Sequence, residues 1–141
     1  MANYMAVSRT NYFQVTDEKK YEALFGNLVS EDNIHDFSFT KDGKTYHGFG
    51  SYGGIEFCTG PDDEDSDIVG IEAFAEKLKE ILPENEAFIY QEIGNEKLRY
   101  IVAYSVIATR EEVKFVNLDN ETITCARKLL NNPKWNTTLS Y

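Results

Sequence analysis

The run from Leu98 to Thr109 most constrains the fold, because it carries apolar side chains on both of its period-two faces. Leu98, Tyr100, Val102, Tyr104 and Val106 alternate onto one side, and Ile101, Ala103 and Ile107 onto the other. Such a strand needs cover on both faces, or cover on one and a partner on the other, so it is expected at the centre of a sheet. Ala87 to Ile93 precedes it across a reversal at Gly94-Asn-Glu-Lys97. Val113 to Leu118 follows as a further strand.

A second local signal lies upstream. Ile34 to Thr40 and Thr45 to Ser51 flank Asp42-Gly43, which suits the positive φ values of a two-residue hairpin turn. The register then pairs Lys41 with Lys44, Phe39 with Tyr46 and Phe37 with Gly48. Gly53-Gly54 permits a sharp reversal before a short strand from Ile55 to Cys58.

Helical spacing marks three segments. Asn11 to Val15 reads as the first strand, closed by Thr16 or Asp17, which caps a helix with Tyr21, Leu24, Phe25, Leu28 and Val29 on one stripe. Asp67 is expected to cap a second helix that turns Ile71, Phe74, Ala75, Leu78 and Leu82 inward and stops near Pro83 and Asn85. A third begins at Asp119 or Asn120 and uses Ile123, Ala126, Leu129 and Leu130 before Asn131-Asn132-Pro133. The predicted order is β-α-β-β-β-α-β-β-β-α over a single domain, residues 1–141. It implies an α+β fold: two layers, an antiparallel-rich mixed sheet with helices packed on it, and right-handed crossovers returning each strand beside the one before its helix. Leu24, Phe25, Phe74, Leu78, Tyr100, Val102 and Tyr104 are the expected core.

Charge is concentrated in one stretch. Glu56 to Glu96 holds thirteen carboxylates against two lysines, within a formal net charge of -10. That balance opposes direct nucleic-acid binding, since phosphates are repelled, and favours a basic protein partner. Asp62, Asp63, Glu64 and Asp65 are expected in a solvated loop over Thr59 to Ser66, and they are protein-binding candidates together with Asp67 at the helix cap. Glu72, Glu76 and Glu80 recur every four residues on the second helix, away from its apolar stripe. Carboxylates strung along regular structure imitate a nucleic-acid backbone and suit the basic channel of a nuclease. The same acidity also serves solubility.

Motifs for chemistry are missing. His35 and His47 fall on opposite faces of the hairpin, so they do not share a metal ion, and neither has zinc-site spacing. The acidic loop lacks the spacing and central glycine of a calcium hand. The glycines from Gly48 to Gly54 lack the lysine of a phosphate loop and read as close backbone approach. His47 and Tyr52, beside them, are the candidate lining of a groove. Cys58 and Cys125 lack catalytic or redox spacing and are expected to be separate reduced thiols. No cofactor or metal is expected, and no membrane span or leader is evident, so a cytoplasmic location in a bacterial cell is expected.

The segments Ser8-Arg-Thr-Asn-Tyr-Phe13 and Tyr46-His-Gly-Phe-Gly-Ser-Tyr-Gly53, with the size and acidity of the chain, resemble small proteins of bacterial phages and other mobile elements. Within that group the chain is similar in general character to anti-CRISPR proteins that act on a Cas9-type effector. The resemblance implies a non-enzymatic inhibitor that binds a Cas nuclease or another nucleic-acid-binding effector, and it assigns no functional residue. A structural or regulatory interaction module of a mobile element is the alternative, with a small-molecule-binding protein or an unrecognised enzyme after it.

Overall fold

The structure, a computed structural model, describes residues 4–59 and 67–139. Its main sheet is built from β1 (Met5–Thr10), β3 (Ile34–Asp36), β6 (Phe49–Ser51), β9 (Phe88–Glu96), β10 (Tyr100–Ala108) and β11 (Val113–Asn117). Their order across the sheet is β11-β10-β9-β1-β6-β3, with every pairing antiparallel. A second sheet takes β2 (Leu28–Ser30), β7 (Ile55–Cys58) and β8 (Ile68–Val69), and β4 (Phe39–Lys41) pairs with β5 (Lys44–Tyr46). The helices are α1 (Glu18–Phe25), α2 (Ile71–Leu78) and α3 (Leu118–Leu130). This is the expected α+β class. The crossovers differ: β9, which follows α2, pairs with β1 and β10 and not with β8.

The hairpin forms as read, with Phe39 opposite Tyr46 and Lys41 opposite Lys44. Asp42 and Gly43 both take positive φ, at 55° and 76°. The same register runs on through the Phe37 N–H to Gly48 O bond of 2.7 Å into β3 and β6, so one long hairpin has its root in the main sheet and its tip free.

The first strand lies earlier than expected. β1 buries Ser8 and Thr10 and exposes Met5 and Val7, an inversion of the usual pattern. Both hydroxyls are satisfied: Ser8 donates to Gly53 O (2.6 Å), and Thr10 donates to Asn11 O (2.8 Å) while accepting from the Phe49 N–H (3.1 Å). Asn11 to Val15 is not a strand. Asn11 keeps one backbone bond to β9, from its N–H to Ile89 O (3.1 Å), and its side-chain amide supplies the rest by accepting from the Ile89 N–H (2.8 Å) and donating to Ala87 O (2.9 Å). Phe13 then makes a lone two-way bridge to His47.

Asp17 caps α1 by accepting from the Lys20 N–H at 3.1 Å. Gly26 ends this helix early, and Leu28 and Val29 pair with β7 instead of extending the stripe. Asp67 does not cap α2. Ile68 and Val69 first pair with β7, so the helix starts after Gly70. Its Ile71, Phe74, Ala75 and Leu78 are all buried, and a 3-10 turn over Lys79–Ile81 replaces the last helical turn. Phe74 sits among Phe49, Phe57 and Phe88 in edge-on contacts of 5.6–5.8 Å between ring centres. Each such pair adds roughly 0.5–1.5 kcal/mol beyond its area.

Around β10 the expected core thins. Val106 and Ala108 are buried, but Tyr100, Val102 and Tyr104 are only half-buried, as are Leu24 and Phe25. β10 stands next to the sheet edge, not at its centre. β9 runs through Gly94 to Glu96, so the reversal falls at residues 97–99 and Leu98 is 87% exposed in it. α3, capped by Asn117 and ended by a left-handed Asn131, packs on β10 and β11 without burying any residue. Leu129 and Leu130, expected inside, are exposed.

Candidate binding site

Glu92 is the unexpected element. On β9 the side chains of Phe88, Tyr90 and Glu92 share the face that meets the core, so period-two geometry carries a carboxylate inside, where it is 7% exposed. Tyrosines from both neighbouring segments and from β9 itself close on it. Tyr90 and Tyr104 donate to Oε1 at 2.7 and 2.9 Å, and Tyr4 donates to Oε2 at 2.7 Å. The Tyr90 hydroxyl also accepts from the Ile55 N–H at 3.0 Å, which commits its own proton to Glu92.

Electrostatics follow from this packing. Burial first, and then the hydrogen bond to Glu92, push the Tyr4 and Tyr90 hydroxyls well above the ordinary value of 10.0. Burial, then the neighbouring Tyr90 and Glu92, push Tyr104 up as well. All three therefore remain neutral donors near neutrality. Among the described residues no Lys, Arg or His forms an ion pair with Glu92.

A cavity of about 560 Å³ opens above this carboxylate. Glu92, Tyr4 and Tyr104 line it, with Tyr52, Glu31 and Glu56 and the loop Gly53-Gly54. Among the described residues no basic side chain lines it. A Cβ on Gly54 would stand 2.9 Å from Glu92 Oε1, so glycine is what lets this wall approach the carboxylate.

The expected groove is rearranged. Tyr52 is exposed and lines both this cavity and a groove of about 460 Å³ on the other side, with Val7, Arg9, His35, Phe37 and Ile93. His47 lines neither. It is buried, with Nε2 2.7 Å from Glu18 Oε2 and its ring stacked on Tyr21 at 4.0 Å between centres. The hairpin register places His35 on the opposite face, exposed beside Tyr52. Among the described residues no three His, Cys, Asp or Glu side chains gather as a metal site. Cys58 and Cys125 are not joined to each other.

The acidic candidates divide. Asp62, Asp63, Glu64 and Asp65 lie outside the described residues. Asp67, Glu72, Glu76 and Glu80 are all exposed, but only Glu72 and Glu76 lie on α2, and Glu80 sits in the following 3-10 turn. Glu76 is paired with Lys79 at 3.1 Å, so Glu72 and Glu80 carry the more open charges. Glu72 packs over Gly70 at the cavity rim, which joins the α2 surface to the Glu92 site.

The missed residue had a signal. Glu92 is in phase with Phe88 and Tyr90, and a carboxylate in phase with a core face is a candidate site. Comparisons with known protein families, with curated proteins and with solved structures find no match to this chain.

Proposed function

We propose that the protein is a non-enzymatic binding protein that inhibits a basic, nucleic-acid-targeting defence effector of a bacterial cell, by presenting acidic surface to the effector's basic channel. One observation supports this most: the exposed Glu72 on α2 and the rim residues Glu31 and Glu56 flank a cavity that holds a fourth carboxylate, Glu92, and, among the described residues, no basic lining residue. Carboxylates gathered on one side attract a cationic surface and speed its encounter. The resemblance to anti-CRISPR proteins supplies the class of partner, a Cas nuclease or a related effector in the cytoplasm. In the sequence, Asp62, Asp63, Glu64, Asp65 and Asp67 add further carboxylates just ahead of α2. Among the described residues no helix is long and apolar enough to cross a membrane.

An interaction module of a mobile element uses the same surface on a different basic partner. The small-molecule reading is favoured by the cavity alone.

The test is a titration. A nuclease or related effector recovered with the tagged protein from a bacterial lysate is assayed against rising amounts of the protein. A binding inhibitor gives a stoichiometric end point. Loss of effector activity at far below one equivalent, with a chemically altered effector or cofactor, would contradict the reading and favour an enzyme. Recovery of only non-nucleolytic proteins would favour the interaction module.

A further inference from the structure

We propose that the cavity over Glu92 is a receptor site for a cationic group, and that the guanidinium of an arginine side chain is the group it takes. This rests on the reading of the protein as a binder of a basic partner, and it makes the cavity the point where one side chain of that partner inserts.

The carboxylate at the floor sets the charge. Glu92 is buried with its oxygens held by three neutral hydroxyls, so its hydrogen bonding is served but its charge has no counter-ion among the described residues. A buried charge without an opposite charge is costly, and an entering cation relieves that cost where water screens little. The donors occupy two sites on Oε1 and one on Oε2, and a carboxylate offers about four acceptor sites. One position on Oε2 is left for an N–H donor.

The walls set the shape. Tyr4, Tyr52 and Tyr104 present aromatic surface around that floor. A planar, weakly hydrated guanidinium stacks on such faces while its N–H groups reach a carboxylate, and an ammonium matches this less well. Gly53, Gly54 and Gly70 leave part of the rim without side chains, and Glu31 and Glu56 stand on the rest of it to draw a cation in. Anionic ligands are repelled by all three carboxylates. The volume of about 560 Å³ falls in the range of pockets that hold small ligands and admits an arginine side chain with its adjoining backbone.

The experiment uses the full chain, labelled with ¹⁵N and followed by amide chemical shifts. Three probes are titrated: agmatine, the blocked tripeptide acetyl-Gly-Arg-Gly-amide, and the same tripeptide with neutral, nearly isosteric citrulline in place of arginine. The arginine peptide is expected to shift the amides of Gly53, Gly54, Ile55 and Tyr104 saturably, with the citrulline peptide bound ~10-fold more weakly or worse. Glu92→Gln should reduce arginine-peptide binding by a similar ~10-fold factor. If that variant does not fold, the arginine–citrulline comparison on the unaltered protein decides the matter. Equal binding of arginine and citrulline peptides, or shifts confined to other surfaces, would overturn the proposal. Entry of agmatine with exclusion of the arginine peptide would overturn the assignment to a partner's side chain. None of these probes needs the effector, so the titration stands or fails separately from the stoichiometry assay.

Discussion

His47 Nε2 donates to Glu18 Oε2 across 2.7 Å, and this contact ties the first turn of α1 to the bend in the long hairpin. The imidazole also stacks on Tyr21, with ring centres 4.0 Å apart, so the ring serves packing as well as hydrogen bonding. His47→Ala should therefore cost about 1–3 kcal/mol, from a lost bond to a charged group. His35→Ala, on the exposed face, should stay within about 0.5 kcal/mol. Urea unfolding of both variants checks this. Equal effects would mean that the buried contact contributes nothing.

Phe74→Ala removes a fully buried ring from the centre of the aromatic cluster. The loss expected is about 3–5 kcal/mol, because the neighbours Phe49, Phe57 and Phe88 are held by strands and collapse poorly. A loss below about 1 kcal/mol would place the core elsewhere.

Gly50 faces the backbone of β1, where a Cβ would stand 2.6 Å from Ser8 O. Gly50→Ala must push the two strands apart, and a cost of about 1–3 kcal/mol is expected. An unchanged melting temperature would show that β1 and β6 are less closely paired than described.

Alkaline pH should weaken the fold. Tyr4, Tyr21, Tyr90 and Tyr104 are pushed above 10.0, by burial most of all. Between about 10 and those higher values the unfolded chain releases protons that the folded chain keeps, so stability falls as pH rises. Ultraviolet titration of tyrosinate alongside thermal melts follows both events. Stability that stays flat above pH ~10 would contradict the buried tyrosine cluster.

Legibility in the sequence tracked local signals. Asp42-Gly43 gave the hairpin and its register because two positive φ values leave few residue choices. Asp17 and the inward face of α2 were equally readable. β1 was not, because its buried positions are Ser8 and Thr10, whose hydroxyls are matched by groups far along the chain. The apolar residues on both faces of β10 suggested a central strand, yet Ile101 on its outer side is 63% exposed, on the same open face as Val7 of β1 and Ile93 of β9. The Glu92 site depended on Tyr104 falling opposite Glu92 across the β9–β10 hairpin and on Tyr4 arriving from 88 residues away, which no short motif records.

The central claim is that acidic surface captures a basic partner, and association kinetics test it most directly. The unaltered protein is compared with a variant in which Asp62, Asp63, Asp65 and Asp67 become Asn and Glu64, Glu72 and Glu80 become Gln. Association with the recovered effector is timed at low and at high salt, with circular dichroism confirming the fold. Charge steering predicts that the variant associates ~10-fold or more slowly at low salt, and that the gap closes as salt screens the field. Equal association rates and affinities at low salt would contradict the claim, and would leave the acidic surface a role in solubility alone.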